Sequence, residues 1–165
     1  MAMKGRAHRF GDDINTDYII SGRYKFKTLD MKELSCHVME DLDPEFASRV
    51  NEGDFLVAGK NFGCGSSREQ APLALKHAGV AAVLAQSFAR IYFRNSINNG
   101  LPALVCDTSR IMDGDELEID LQTGLIRNAS TGEEINAHPL PPVMLRILSE
   151  GGLVEYMKKH GALTV

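Results

Sequence analysis

The residues best equipped for chemistry lie together between Gly59 and Gln70, in the order Gly-Lys-Asn-Phe-Gly-Cys-Gly-Ser-Ser-Arg-Glu-Gln. Glycine at 63 and 65 opens backbone dihedrals closed to other residues, so successive amides can converge on an anion. Ser66 and Ser67 place two hydroxyls in the same small volume, and Arg68 adds a planar fork suited to a bidentate carboxylate contact. A helix beginning just beyond would add positive potential. The chemistry indicated is carboxylate or phosphate binding. A second reading is open, because Ser66-x-x-Glu69 is also a capping box that would make Ser66 an N-cap. Pro72 bears on the choice: in a helix begun at Ser66 it would fall in the second turn and remove a ladder bond, whereas it suits a first helical position and leaves 63–70 as loop. No Gly-Lys-Ser/Thr follows as in a Walker loop, and no Gly-x-Ser-x-Gly nucleophile elbow occurs.

Other reactive side chains are scattered. The three cysteines, Cys36, Cys64 and Cys106, are separated by 28 and 42 residues, which matches no zinc pair, ferredoxin run or disulfide framework. Cys36 and Cys106 read as small buried apolar residues, and the set fits a reducing cytoplasm. Asp12-Asp13-Ile14-Asn15-Thr16-Asp17 is turn-rich, with side chains that bond to nearby backbone. Arg90 and Arg94 lie four apart, and read as a solvated or ion-paired helix face outside the site.

The elements that must carry these residues follow from periodicity. Residues 4–10 read as a short edge strand, and 30–42 as polar and helix-compatible. Asp54 to Ala58 is a buried strand leading into the glycine-rich loop. Ala71 to His77 is helical in composition, with a stop at Gly79. Val80 to Ala85 is a continuous small-apolar run, typical of a strand covered on both faces. Ala89 to Asn98 reads as a helix and Leu101 to Cys106 as another buried strand. Glu116 to Leu121 alternates, with Leu117, Ile119 and Leu121 on one side, as a half-exposed strand does. Turns at 122–124 and 130–133 bracket Leu125 to Asn128. After Pro139, Pro141 and Pro142, two short helices complete the chain, separated by Gly151-Gly152. This is a mixed α/β domain over residues 1–165, with a buried sheet flanked by helices and a small antiparallel annex.

Composition excludes several classes. With 165 residues, 44% hydrophobic and 24% charged, the chain can bury a proper core as one domain. No apolar run reaches the roughly 20 residues that span a bilayer, and the start, Met-Ala-Met-Lys-Gly-Arg, has no secretory h-region. The net charge of −4 is evenly spread, without a basic block for nucleic acid.

Four segments in order carry a family resemblance. Gly63-Cys64-Gly65-Ser66-Ser67-Arg68-Glu69 resembles the signature of the swivelling domain of the aconitase superfamily. Asp13-Ile14-Asn15-Thr16-Asp17-Tyr18-Ile19-Ile20 resembles its N-terminal Asp-rich loop, Gln86 to Asn95 its Ser-Phe-Ala-Arg-Ile segment, and Asn99-Gly100-Leu101-Pro102 the following turn. The match runs over most of residues 4–160. In length and start the chain is similar to the free-standing small subunits that pair with cluster-bearing large subunits acting on 2-isopropylmalate, homocitrate-type acids or 2,3-dimethylmalate.

The resemblance implies a swivelling β/β/α fold and a dehydration–rehydration of a hydroxy-acid. No cofactor is expected on this chain, since the [4Fe–4S] cluster belongs to the large subunit, in a heterodimer or heterotetramer. By similarity Ser66 is the base that takes a proton beside a carboxylate, Asp17 orients the serine region, and Ser67, Arg68 and Gly65 hold substrate. The five histidines fall in no matching motif and are expected to be structural or at the surface. Gln70 departs from the family's commoner His. The loop Arg23-Tyr24-Lys25-Phe26-Lys27-Thr28 corresponds to the segment over the variable substituent. Phe26 at the deciding position suits an isopropyl group, because burying an unpaired carboxylate there is costly. A one-residue shift would bring Lys25 or Lys27 there instead. A non-catalytic carboxylate-binding module is the alternative from another class.

Overall fold

The computed structural model describes residues 2–25, 30–66 and 68–161, with the side chain of Lys25 excepted. The chain opens with β1 (Ala2–Arg9), α1 (Thr16–Ile19), α2 (Gly22–Lys25), α3 (Met31–Leu34) and α4 (Phe46–Arg49). It continues through β2 (Phe55–Val57), α5 (Gln70–His77), β3 (Ala82–Ala85), α6 (Arg90–Asn98) and β4 (Ala103–Val105). It ends with β5 (Glu116–Asp120), β6 (Leu125–Asn128), β7 (Glu134–Asn136), α7 (Pro142–Ser149) and α8 (Leu153–His160). The strands form one seven-stranded sheet in the order β4-β3-β2-β1-β5-β6-β7. β1 to β4 run parallel, and β1, β5, β6 and β7 pair antiparallel.

The expected antiparallel annex is therefore continuous with the buried sheet, and β1 is its central strand rather than an edge. Lys4 stands opposite Glu118 and Arg6 opposite Glu116, in register across β1 and β5. Both pairs form ion pairs on the exposed face, at 3.5 and 3.4 Å. The charges that make this segment look like an edge are satisfied by a neighbouring strand.

The period of two sorts the inner strands between two apolar layers. Phe55, Val57, Ala82 and Leu84 face one layer, with Leu117, Ile119, Ile147 and Tyr156. Leu56, Ala58, Val83 and Ala85 face the other, with Ile19, Leu34, Phe46 and Leu75. β2 and β3 are buried along their whole length, which is why they are apolar without alternation. α6 contributes Ile97 to the first layer and Tyr92 to the second, so it ties both layers together.

Beneath this core, His8 Nε2 lies 2.8 Å from Asp54 Oδ2, both residues buried. Asp54 also accepts from the amides of Arg6 and Asn51. Burial, the largest single influence on this carboxyl, raises its pKa, but these three hydrogen bonds together hold it below the usual carboxylate value. His8 is thus structural, as expected. Cys106 is buried, and burial pushes its thiol up to about 12. Cys36 departs from expectation: it is exposed, on a 3-10 turn at Ser35–His37.

Candidate active site

Three loops leave the carboxyl ends of β1, β2 and β3 on the same side of the sheet, the usual place for a ligand in a parallel α/β arrangement. They are stitched together by main chain. Asn15 bridges to Cys64, and Phe62 to Phe88. The amide of Thr16 donates to Cys64 O at 2.9 Å, that of Gly63 to Ile14 O at 2.7 Å, and that of Ala89 to Phe62 O at 2.9 Å. The first loop also supplies side chains. Asp12 Oδ1 accepts from Lys60 N at 2.7 Å, and Asn61 Nδ2 donates to Asp13 Oδ1 at 3.1 Å.

Asn15 caps α1, accepting from Asp17 N at 2.7 Å and Tyr18 N at 3.3 Å. This turns Asp17 toward Arg68, whose Nη1 lies 2.5 Å from Asp17 Oδ1. The Arg68 side chain is 14% exposed and that of Asp17 is 56% exposed, so the pair closes one wall while one carboxylate edge stays open. Gly22 of α2 also faces the guanidinium; a Cβ there would lie 3.7 Å from Nη1. The segment leading into residues 26–29 therefore starts beside Arg68.

Residues 59–66, 68 and 69 are irregular, and α5 begins at Gln70 with Glu69 as an N-cap that makes no side-chain cap bond. Ser66 is not the cap of α5, and Pro72 is the third residue of that helix rather than the first; its missing amide is still outside the helical ladder. Ser66 is exposed, and its carbonyl accepts from Thr16 Oγ1 at 2.6 Å. Gly63 and Gly65 have φ of +83° and +88°.

Between these loops lies a cleft of about 350 Å³, bounded by Thr16, Gly63, Gly65, Arg68, Arg90 and Tyr92. Of the expected residues, Gly65 and Arg68 line this cleft; Asp17 adjoins it through Arg68, and Ser66 through its carbonyl's bond to Thr16. Ser67, Phe26 and Lys27 lie outside the described residues, as does the Lys25 side chain. Sequence reasoning left out Thr16, which locks the serine loop, Tyr92, which floors it, and Arg90, which faces the cleft. The cue for Tyr92 and Arg90 was the Gln86–Asn95 segment, whose loop pairs with residues 61 and 62. A larger groove of about 620 Å³ between α6 and α7 is mainly apolar and holds none of the glycine-loop donors. Among the described residues, no group of three or more His, Cys, Asp or Glu side chains could hold a metal ion.

An irregular glycine loop, an aspartate-held arginine and an exposed serine stand at the ends of parallel strands in an α/β domain, and comparison with known proteins gives its family. The aconitase C-terminal domain model matches residues 19–108, and the chain belongs to that family. Within it, the similarity is to free-standing small subunits. The chain is 61% identical over 165 residues to "3-isopropylmalate dehydratase small subunit 2" of Archaeoglobus fulgidus, covering 100% of both chains. It is 55% identical over 157 residues to "Methanogen homoaconitase small subunit" of Methanothermobacter thermautotrophicus, covering 95% of this chain and 91% of that one. The crystal structure of a 3-isopropylmalate dehydratase chain from Methanocaldococcus jannaschii superposes with a TM-score of 0.94 at 49% identity, over 98% of this chain and 96% of that one. No helix among the described residues is long and apolar enough to cross a membrane.

Proposed function

We propose that this chain is the small subunit of a hydro-lyase that isomerises 2-isopropylmalate to 3-isopropylmalate by dehydration and rehydration, active only with a cluster-bearing large subunit. The observation that carries this reading is the cleft lined by Gly65 and Arg68, with exposed Ser66 between them in sequence, in a chain 61% identical to a subunit of that name. A [4Fe–4S] cluster, when present on the large subunit, would supply Lewis-acid chemistry at the substrate hydroxyl. This chain's residues handle the carboxylate and the proton. Arg68, with Ser67 and the Gly65 amide, binds a substrate carboxylate, which acidifies the adjacent C–H. Ser66 Oγ takes that proton as an alkoxide, a high-energy species that needs donors around it; the Gly65 amide and Arg68 serve as an oxyanion hole does, the Gly63 amide being committed to Ile14 O. Asp17 holds Arg68 in position. Three free thiols fit a reducing cytoplasm.

A second reading, a homoaconitase small subunit, is favoured by the 55% identical methanogen relative. Anaerobic co-expression with the large subunit tests the role assigned to this chain. Ser66→Ala should leave subunit pairing intact and lower turnover by about 10²–10⁴-fold, the range for loss of a positioned base. Near-wild-type turnover in the assembled complex would leave Ser66 without a catalytic role, and the chain would be a carboxylate-binding module.

A further inference from the structure

We propose that Arg90 is the second cation of the cleft and binds the substrate carboxylate that Arg68 does not, which makes the site selective for dianionic hydroxy-acids. The inference rests on the hydro-lyase reading and begins with a charge count. Arg68 is paired with Asp17 at 2.5 Å, so the two contribute no net charge. A hydroxy-dicarboxylate brings two negative charges into a partly enclosed space, where an unpaired carboxylate is costly. A second cation of this chain beside the cleft would offset that charge, and Arg90, the first residue of α6, lines it.

Among the described residues, Arg90 also lacks the carboxylate partner that most arginines of this chain have. In a chain of net charge −4, Arg6, Arg23, Arg49, Arg68, Arg110 and Arg127 each pair with a carboxylate. Arg9 donates to the carbonyls of Thr108 and Ile111. Among the described residues Arg90 has no such side-chain partner, although the protein has acid to spare. The cleft edge it stands on is held by main-chain bonds on both sides: Ala89 N to Phe62 O at 2.9 Å, and Phe93 N to Ala89 O at 3.0 Å. A guanidinium on this fixed edge can reach a carboxylate with both nitrogens, which an ammonium cannot do. Arg94, four residues on, provides the contrast. It has no side-chain partner among the described residues either, but it lines the apolar groove and not the cleft, whereas Arg90 lines both.

The test uses the assembled, anaerobically prepared complex with wild-type chain, Arg90→Gln, Arg90→Lys and Arg94→Gln. The probes are malate, a dianion, and 2-hydroxyisovalerate, a monoanion, as competitive inhibitors. Arg90→Gln should raise KM and the malate inhibition constant by about tenfold or more, which corresponds to at least about 1.4 kcal/mol, and leave the monoanion constant unchanged. Arg90→Lys should recover part of the loss, and Arg94→Gln should behave as wild type. Equal weakening of both inhibitors would overturn the proposal. So would an unchanged KM with weaker subunit association, which would make Arg90 a contact to the large subunit. If the wild-type complex turns over no hydroxy-diacid, the hydro-lyase reading itself has failed. Calorimetry with malate still judges Arg90 in that case: binding lost in Arg90→Gln supports the assignment, and binding no tighter in wild type than in Arg90→Gln overturns it.

Discussion

The backbone of Gly63 lies directly against the ring of Tyr92. A Cβ built at residue 63 collides with Cγ and Cβ of that side chain, and the residue has φ of +83°. Tyr92 is 2% exposed and packs edge-on against Phe62 and stacked with Phe88, so its ring has little room to retreat. The glycine loop is thus shaped from below by the helix that follows the third strand. Gly63→Ala should cost about 1 kcal/mol for the dihedral plus about 1–3 kcal/mol for overpacking. Gly114→Ala is the control, with φ of +88° and nothing within 4 Å of the added Cβ. Thermal unfolding should place Gly63→Ala well below Gly114→Ala; equal midpoints would mean that the ring gives way freely.

Asp17 and Arg68 make opposite predictions under opposite substitutions. Arg68→Lys should raise KM about tenfold, because an ammonium cannot reproduce the bidentate contact. Asp17→Asn removes a negative charge from the cleft, so anion binding should not weaken. Turnover should nevertheless fall about tenfold, since Arg68 loses the group that holds it. Steady-state kinetics separates the two effects. An unchanged kcat in Asp17→Asn would reduce Asp17 to a residue of the Asn15-capped turn.

Acid stability should depend on Asp54. Its carboxyl is held below the unfolded value near 3.9 by its hydrogen bonds, so its contribution is full above about pH 4 and is lost as pH falls through the lower folded value. Asp54→Asn should destabilise the protein at pH 7 by about 2–4 kcal/mol, because it leaves His8 without its buried partner. It should also flatten the fall in stability below pH 4. Denaturant unfolding at pH 7 and pH 3 measures both; parallel losses in the two proteins would contradict the linkage.

Most of the parallel half of the sheet was legible in sequence, because strands buried on both faces need continuous apolar runs and glycine or proline marks their ends. β1 was misplaced because its charges look solvated until Glu116 and Glu118 are found opposite them. The glycine loop was readable from Gly63, Gly65 and Pro72, whose backbone demands are local. Arg90 was not. An arginine four residues before another looks like a wet helix face, and only the bridge between Phe62 and Phe88 reveals that its helix begins at the rim of the cleft. Cys36 shows the limit of residue-type preference, since a thiol that donates to Lys32 O on an exposed turn has no sequence mark.

Substrate choice should follow residue 26, which lies outside the described residues. In α2, which precedes it in the chain, Gly22 faces Arg68 and Tyr24 stacks on His37 at 3.8 Å. Phe26→Arg should shift preference toward homocitrate-type acids. Lost packing on an isopropyl group costs about 1–3 kcal/mol, whereas a guanidinium pairs a carboxylate otherwise left bare. Ratios of kcat/KM measured with the same large subunit decide this; a ratio that does not move would place the loop away from the substituent, or Lys25 or Lys27 in its stead.

The most direct measurement is kcat/KM of the wild-type chain, assembled anaerobically with its large subunit, for 2-isopropylmalate against homocitrate, citramalate and 2,3-dimethylmalate. The assignment of Phe26 to the substrate's variable substituent predicts that 2-isopropylmalate is preferred by at least about tenfold, the scale of one good packing contact. A preference for homocitrate would contradict the assignment and make the methanogen homoaconitase relative the better guide to this chain's chemistry.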